Sequence, residues 1–122
     1  MFLVIGAVMA FLAVLLGAFG AHALRGKVTA ERLASYQTGV QYQMFHGLAL
    51  LVIGLWTSIS PSHQLIIGAW CLVVGIVLFS GSLYLLTVTG VRRFGAITPL
   101  GGVAFLGGWV FVFLAALHFV RP

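Results

Sequence analysis

Residues 36–57 read YQTGVQYQMFHGLALLVIGLWT, a stretch that passes from amides and hydroxyls into an uninterrupted apolar run. No Pro or formally charged residue interrupts it, and Thr29 and Glu31 just upstream supply a hydroxyl cap and a first-turn acid. A helix of about 28 residues at 1.5 Å per residue is roughly 42 Å long, which exceeds the hydrocarbon thickness of a bilayer. The stretch therefore predicts a membrane-spanning helix whose first turns lie among the lipid headgroups.

The composition extends this prediction to the whole chain. Of its 122 residues, 62% are hydrophobic and only 6% are charged, whereas about 25% of residues are charged in soluble domains. Four spans of about 20 residues use nearly all of this length, and we place them at about residues 2–23, 39–57, 65–88 and 100–120. We expect one domain, residues 1–122, with an all-α integral membrane fold: an antiparallel bundle of four transmembrane helices.

The basic residues predict the orientation of this bundle. Lys and Arg are concentrated in the first and third loops, and the second loop has none: Arg25, Lys27, Arg32, Arg92 and Arg93. Because such residues favour the cytoplasmic side, we predict that both termini lie outside. Membrane topology then explains the net charge of +5. We therefore expect the protein to contact the lipid bilayer and not to bind nucleic acid.

Small residues recur along the predicted spans, and in lipid they let helix backbones approach closely. In the first span they form one stripe: Gly6, Ala10, Ala13, Gly17 and Ala21. In the third and fourth they repeat every seven residues, which favours shallow left-handed crossing: Gly68, Gly75 and Ser82, then Gly101, Gly108 and Ala115.

The third span also carries Ser80, Tyr84 and Thr87 on the face opposite its small residues. Either this helix is central and packs on both sides, or one face meets a second copy of the protein. We favour a homo-oligomer or a larger membrane complex, because so small a bundle has little interior.

Polar side chains of the second and third spans converge in the predicted cytoplasmic half. On a helical wheel Gln43 and His46 face inward, whereas Gln37 and Gln41 face the headgroups. His46 lies roughly 9 Å inside the hydrocarbon, at about the depth of the third-span serines. We predict a polar cluster, with ligand binding as a hypothesis for it: His22, Gln43, His46, Ser80, Ser82, Tyr84 and Thr98.

His46 has more than one interpretation. As a neutral side chain bonded to Ser80, Ser82 or Tyr84 it would join helices, which is the favoured role. As an ionisable group within a span it is also a candidate proton relay or binding residue. Haem ligation by His22 and His46 is disfavoured, because the two differ in depth by about 8 Å.

The sequence offers no candidate residues for catalysis or for metal binding. Glu31 is the only carboxylate and Cys71 the only cysteine, and the sequence has no nucleophile-and-base pattern, phosphate loop or metal-ligand spacing. We therefore expect no catalytic residue, no metal and no cofactor.

The start of the fourth span is a candidate anion site. The unpaired amides of a helix N-terminus beside Arg92 and Arg93 suit an anion such as a lipid headgroup. The alternative, which we favour, is an ordinary helix start capped by Thr98 and Pro99 next to topology-setting arginines.

Four strings carry a family resemblance: GAFGAHAL at 17–24, YQTGVQYQMFHGLALL at 36–51, FSGSLYLL at 79–86 and GAITPLGGVAFLGGW at 95–109. With these in this order, the chain resembles the bacterial membrane family known as domain of unknown function 423 over essentially its whole length. The resemblance implies a small four-span protein of the bacterial inner membrane. It implies no activity, substrate or catalytic residue.

Two functional classes remain. The first is a non-enzymatic membrane protein that acts by oligomerisation, by binding lipid or a small hydrophobic ligand, or as an accessory subunit. The alternative is a small transporter or channel component with a cytoplasmic-side polar site around His46. The apolar strings beyond His46, LALLVIGLW at 48–56 and LIIGAWCLVVGIVLF at 65–79, favour the first, since they would form a desolvation barrier to ions.

Overall fold

Four long helices make up the protein in a computed structural model that describes all 122 residues. They are α1 (Phe2–Leu24), α2 (Ala30–Ile59), α3 (His63–Thr89) and α4 (Thr98–Val120), with a short 3₁₀ turn over Arg92–Ala96 leading into α4. There is no strand. All four helices are long and apolar enough to cross a membrane, which confirms the predicted all-α fold of four spans.

The ends of the helices follow from local hydrogen bonding. The Thr29 hydroxyl accepts from the Arg32 N–H at 3.2 Å, as predicted, and the Ser62 hydroxyl accepts from the Leu65 N–H at 3.1 Å. Gly90 ends α3 with φ at 71°, a left-handed conformation that glycine adopts without strain.

The predicted Thr98 cap of α4 is wrong. Thr98 is already inside the helix, Ile97 holds the cap position, and no side chain bonds to the first-turn amides. Pro99 does lie in the first turn, where its missing N–H costs nothing. The Thr98 hydroxyl is directed to α3 instead, as described below.

Backbones approach closely within two helical hairpins, α1 with α2 and α3 with α4. A Cβ added to Gly6 would lie 2.7 Å from the Gly47 carbonyl oxygen, so α1 and α2 have no room for a side chain there. Likewise, a Cβ on Gly68 or on Gly108 would lie 3.0 Å from the carbonyl oxygen of the other glycine. The small-residue stripes are therefore the contact surfaces of the hairpins.

Helix α3 joins the hairpins, because it packs on α2 as well as on α4. Its Gly68 and Gly75 face α4, whereas Ser80 and Tyr84 face Gly39 of α2. One chain thus occupies both faces of α3, and the central-helix explanation of its two-sided pattern is confirmed. The two-sided pattern consequently gives no reason to invoke an oligomer.

The bundle has two chemically different ends. The end that holds residues 25–29 and 90–97 carries most of the basic residues, and we call it the basic end. The buried apolar core extends toward the opposite end: Phe2, Leu50, Ile53, Leu65, Ala69, Leu72, Ile76, Phe105 and Ala115. The polar contacts that cross between helices extend from the basic end, at Arg32 and Thr87, to about the middle of the bundle, at His46 and Trp109.

Substituting Gly6 with Ala tests the close approach of α1 and α2. The new methyl group would meet the Gly47 carbonyl oxygen at 2.7 Å and the Leu51 amide nitrogen at 2.8 Å. We expect a loss of about 1–3 kcal/mol in the free energy of unfolding, the usual cost of overpacking, measured by SDS titration in mixed micelles with circular dichroism.

Gly107→Ala is the matched control, since a Cβ at Gly107 has nothing within 4 Å. It should unfold at the wild-type SDS fraction or above it. Equal losses in the two variants would contradict the assigned packing.

Candidate functional site: an internal polar belt and a lateral groove

Gln43 joins three helices. Its side-chain Nε2 donates to the Met9 carbonyl of α1 at 2.9 Å, and its Oε1 accepts from the Tyr84 hydroxyl of α3 at 2.6 Å. The amide orientation is fixed by chemistry, because a carbonyl can only accept. The side chain is 3% exposed, so both bonds are shielded from solvent. Gln43 and Tyr84, both members of the predicted cluster, are therefore in contact, and Gln43 also bonds to α1.

Two π turns lie where α2 meets its neighbours. In α1 the Ala21 N–H bonds to the carbonyl of Leu16, five residues earlier, and in α3 the Gly81 N–H bonds to Ile76 in the same way. The Leu16 carbonyl also accepts from the Tyr36 hydroxyl of α2 at 2.7 Å. Such turns are frequent at functional sites, and here they accompany side-chain bonds between helices.

Ser80 and Ser82 bond to different helices, because they lie on different faces of α3. The Ser80 hydroxyl donates to the Gly39 carbonyl of α2 at 2.7 Å. The Ser82 hydroxyl donates to its own helix at Phe79, so the Thr98 hydroxyl of α4 donates to Ser82, at 2.6 Å. Thr98 thus joins α3 to α4, which is why it does not cap α4.

Arg32 and Thr87 form a reciprocal contact between α2 and α3. The Arg32 Nη2 donates to the Thr87 carbonyl in the last turn of α3, and the Thr87 hydroxyl approaches the Arg32 carbonyl at 3.1 Å. A guanidinium at a helix C-terminus satisfies an otherwise unpaired carbonyl and complements the helix dipole. From the sequence, Arg32 was assigned to topology alone. Its position in the first turn of α2, next to the predicted end of α3, was the signal for this contact.

His46 is bonded through both ring nitrogens, and its partners define its tautomer. Nδ1 lies 2.7 Å from the Tyr42 carbonyl, which can only accept, while the Trp109 indole N–H donates to Nε2 at 3.1 Å. The ring also stacks on Phe105, with the ring centroids 3.7 Å apart. His46 is therefore neutral with its proton on Nδ1.

The predicted contact of His46 with Ser80, Ser82 or Tyr84 is wrong. Three residues along a helix correspond to a rotation of about 60° from Gln43, and this turns His46 from α3 toward α4. Trp109 was not recognised from the sequence. The signal was its indole N–H, a donor that requires an acceptor at this depth.

We call the residues that make these contacts between helices the polar belt: Arg32, Tyr36, Gln43, His46, Ser80, Ser82, Tyr84, Thr87, Thr98 and Trp109. Six of the predicted residues belong to it, and His22 does not. His22 is exposed, whereas Gly17 and Gly20 of the same helix face Val40 and Tyr36 of α2. Arg92 and Arg93 are exposed on the 3₁₀ turn.

The belt leaves little unpaired polar capacity inside the bundle. Among buried side-chain nitrogen and oxygen atoms, Arg32 Nε alone lacks a partner. No group of three His, Cys, Asp or Glu residues is arranged to hold a metal ion. The exposed His22 and the doubly bonded His46 give no geometry for a haem.

A lateral groove opens between α2 and α4 beside His46. Its volume is about 470 Å³, and four aromatic rings line it: Tyr42, Phe79, Phe105 and Trp109. Gly102 also lines it, and a Cβ there would meet nothing within 4 Å. The Tyr42 side chain is 38% exposed, and unlike Tyr36 and Tyr84 it makes no hydrogen bond to the chain. We call this the α2/α4 groove.

Substituting Gln43 with Leu tests the belt at its three-helix contact. The change removes two hydrogen bonds and leaves the Tyr84 hydroxyl without an acceptor. We expect the free energy of unfolding to fall by about 1–3 kcal/mol, given the usual worth of such bonds in membrane bundles. Gln41→Leu, at an exposed position of the same helix, should cost nothing measurable.

The double variant Gln43→Leu/Tyr84→Phe identifies the bond itself. Removing the stranded hydroxyl should recover part of the loss, so the two changes should be less than additive in the same SDS titration. Full additivity would show that the two side chains do not interact.

Comparison with known proteins gives matches along nearly the whole chain. The family model described as "Protein of unknown function (DUF423)" matches residues 16–102. The UPF0382 membrane protein YwdK of Bacillus subtilis is 48% identical over 120 residues, covering 98% of each chain. The UPF0382 membrane protein SERP0230 of Staphylococcus epidermidis is 49% identical over 118 residues, covering 97% of this chain and 96% of that one.

No solved structure matches this chain. The four apolar helices and the bacterial relatives named as membrane proteins identify it as a multi-pass protein of a bacterial plasma membrane. The family resemblance seen in the sequence is confirmed: the chain belongs to the DUF423 family, membrane proteins of unknown function.

Proposed function

We propose that the protein is a non-enzymatic membrane protein that binds a small, flat hydrophobic ligand in the α2/α4 groove. The observation that carries this proposal is the groove itself, an aromatic-lined space of about 470 Å³ between helices that are not neighbours in sequence. Ligand sites commonly have about 300–1,000 Å³ and are lined mainly by apolar and aromatic side chains. A ligand dissolved in the bilayer would enter the groove from the side.

The groove offers stacking surfaces with a single polar contact. The Tyr42 ring lies against Phe79, with centroids 4.6 Å apart, and Phe79 lies 5.5 Å from Phe105. Rings at these distances favour a flat ligand, because stacked and edge-on aromatic contacts add to simple burial. The free Tyr42 hydroxyl can orient one polar atom of that ligand. His46 supplies a ring face, since both its nitrogens are already bonded.

The polar belt gives less support to transport. A proton relay through His46 would require Nε2 to give up the Trp109 indole, and the buried core beyond it is apolar. An ion passing that core would lose its hydration without finding polar partners. Binding is therefore the better supported of the two functional classes.

Orientation belongs to the same proposal. The basic end carries Arg25, Lys27, Arg92 and Arg93, and it would face the cytoplasm, with both termini outside. The groove would then open within the cytoplasmic half of the bilayer.

Filling the groove tests ligand binding. Gly102→Phe places a ring in the groove, whereas Gly107→Phe adds the same ring to the same helix at a glycine that does not line it. After extraction in mild detergent, native mass spectrometry should show a small ligand on the wild type and on Gly107→Phe. Gly102→Phe should bind this ligand at least about tenfold more weakly, equivalent to about 1.4 kcal/mol.

Three outcomes would overturn the proposal. The first is repeated recovery of bare wild-type protein, and the second is equal ligand retention by both phenylalanine variants. The third is retention of a second copy of the chain or of another protein with no small ligand, which would favour oligomerisation or an accessory-subunit role. Circular dichroism melting of both variants is the control for folding.

A further inference from the structure

We propose a second binding site, independent of the groove, that takes the monoanionic phosphodiester headgroup of a lipid bearing hydroxyl groups. It is the cavity of about 620 Å³ at the basic end, between the first turn of α2 and the end of α3. Six of its seven lining residues are polar, charged or glycine: Thr29, Glu31, Arg32, Ser35, Gly90 and Arg92. Its chemistry is therefore the opposite of that of the α2/α4 groove.

Arg32 presents a cation that is already held in place. Its Nη2 is bonded to the Thr87 carbonyl and its Nε is buried. Nη1 makes no hydrogen bond within the chain and, unlike Nε, is not sealed from the surface. A guanidinium fixed before binding loses little conformational entropy when an oxyanion arrives.

Gly90 lies beside this guanidinium. A Cβ there would lie 3.4 Å from both Cζ and Nη2 of Arg32, an ordinary contact distance, so the left-handed backbone and not a lack of space favours glycine at this position. Arg92, two residues later, supplies the second cation of the cavity.

The hydroxyl groups differ in what they can offer a ligand. Thr29 accepts from the Arg32 N–H and makes no other bond, so its own proton is available to a phosphate oxygen. The Ser35 proton is already donated to the Glu31 carbonyl. Two guanidinium groups and the Thr29 hydroxyl are donors suited to a phosphate, which guanidinium binds in a planar, often bidentate geometry.

Glu31 narrows the class of ligand. Its carboxylate, the only one among the side chains, lies in the lining of the same cavity. Together with two arginines it gives the cavity one net positive charge, which matches a singly charged phosphodiester better than a phosphate dianion. A carboxylate only accepts hydrogen bonds, so it favours a headgroup with hydroxyl donors over one capped by methyl groups.

Arg92 and Arg93 form a matched pair for the test. Both are exposed, adjacent and on the same turn, but only Arg92 lines the cavity. Substituting Arg32 would confuse binding with folding, because it also bonds α2 to α3. Arg92→Gln and Arg93→Gln remove the same charge from the same region.

The experiment is a native mass spectrometry titration of the full-length protein with phosphatidylglycerol, phosphatidylcholine and inorganic phosphate. The wild type and Arg93→Gln should bind phosphatidylglycerol at least about tenfold more tightly than phosphatidylcholine. Arg92→Gln should lose this preference to within about twofold, because it removes a charge-assisted contact. Gly102→Phe should keep it, which separates this site from the groove.

Three results would overturn the proposal. One is the absence of a headgroup preference in the wild type. Another is a loss in Arg93→Gln as large as that in Arg92→Gln, which would indicate a diffuse basic surface. Competition by inorganic phosphate at the same concentration as the lipid would assign the site to free phosphate instead.

Discussion

The fold depends on one constraint: polar groups buried inside a bundle in a bilayer must find their partners within the chain. Water is absent from the hydrocarbon, so each unpaired group would cost several kcal/mol. Gln43 meets this constraint with a carbonyl of α1 and a hydroxyl of α3. The helix that carries it is thereby fixed in rotation and depth against both neighbours. The contacts of Ser82 with Thr98 and of His46 with Trp109 do the same for α4.

The two ends of the bundle are held together by different interactions. Near the basic end, hydrogen bonds determine which helix faces which, whereas the opposite half is held by apolar packing and glycine contacts. Because the belt uses nearly all of its donors and acceptors internally, the capacity for recognition lies at its margins. The α2/α4 groove borders His46 on one side, and the Arg32 cavity borders the ends of α2 and α3 on another.

Much of the fold is predictable from sequence because its signals are periodic. The stripe that contains Gly6 and the seven-residue repeats that contain Gly68 and Gly108 are the observed helix contacts. The inward face of Gln43 and the one-sided polarity also follow from counting residues along a helix. These predictions require only the geometry of an α-helix, and the chain can be assumed helical because a membrane-spanning segment must satisfy its own backbone hydrogen bonds.

The site was harder to predict because pairing depends on rotation and side-chain reach. A rotation of about 60° separates Gln43 from His46 and sends His46 to Trp109 rather than to α3. The π turns at Leu16–Gly20 and Ile76–Ser80 each change the direction in which the following side chains point. No pattern in the sequence predicts these turns. Thr98 is a residue type that often caps helices, but its hydroxyl bonds to Ser82 of the neighbouring helix instead.

The central claim is that the belt is closed, with every buried side-chain nitrogen and oxygen atom except Arg32 Nε paired inside one chain. Nitrogen-15 NMR of histidine-labelled protein in lipid bilayers at pH 7, assigned with a His46→Phe variant, tests it most directly. The account predicts a neutral His46 ring with a protonated Nδ1 and a bare Nε2 that shows coupling to the Trp109 indole. A proton on Nε2, in either the other neutral tautomer or the imidazolium, would contradict it, because the indole could then not donate to that nitrogen.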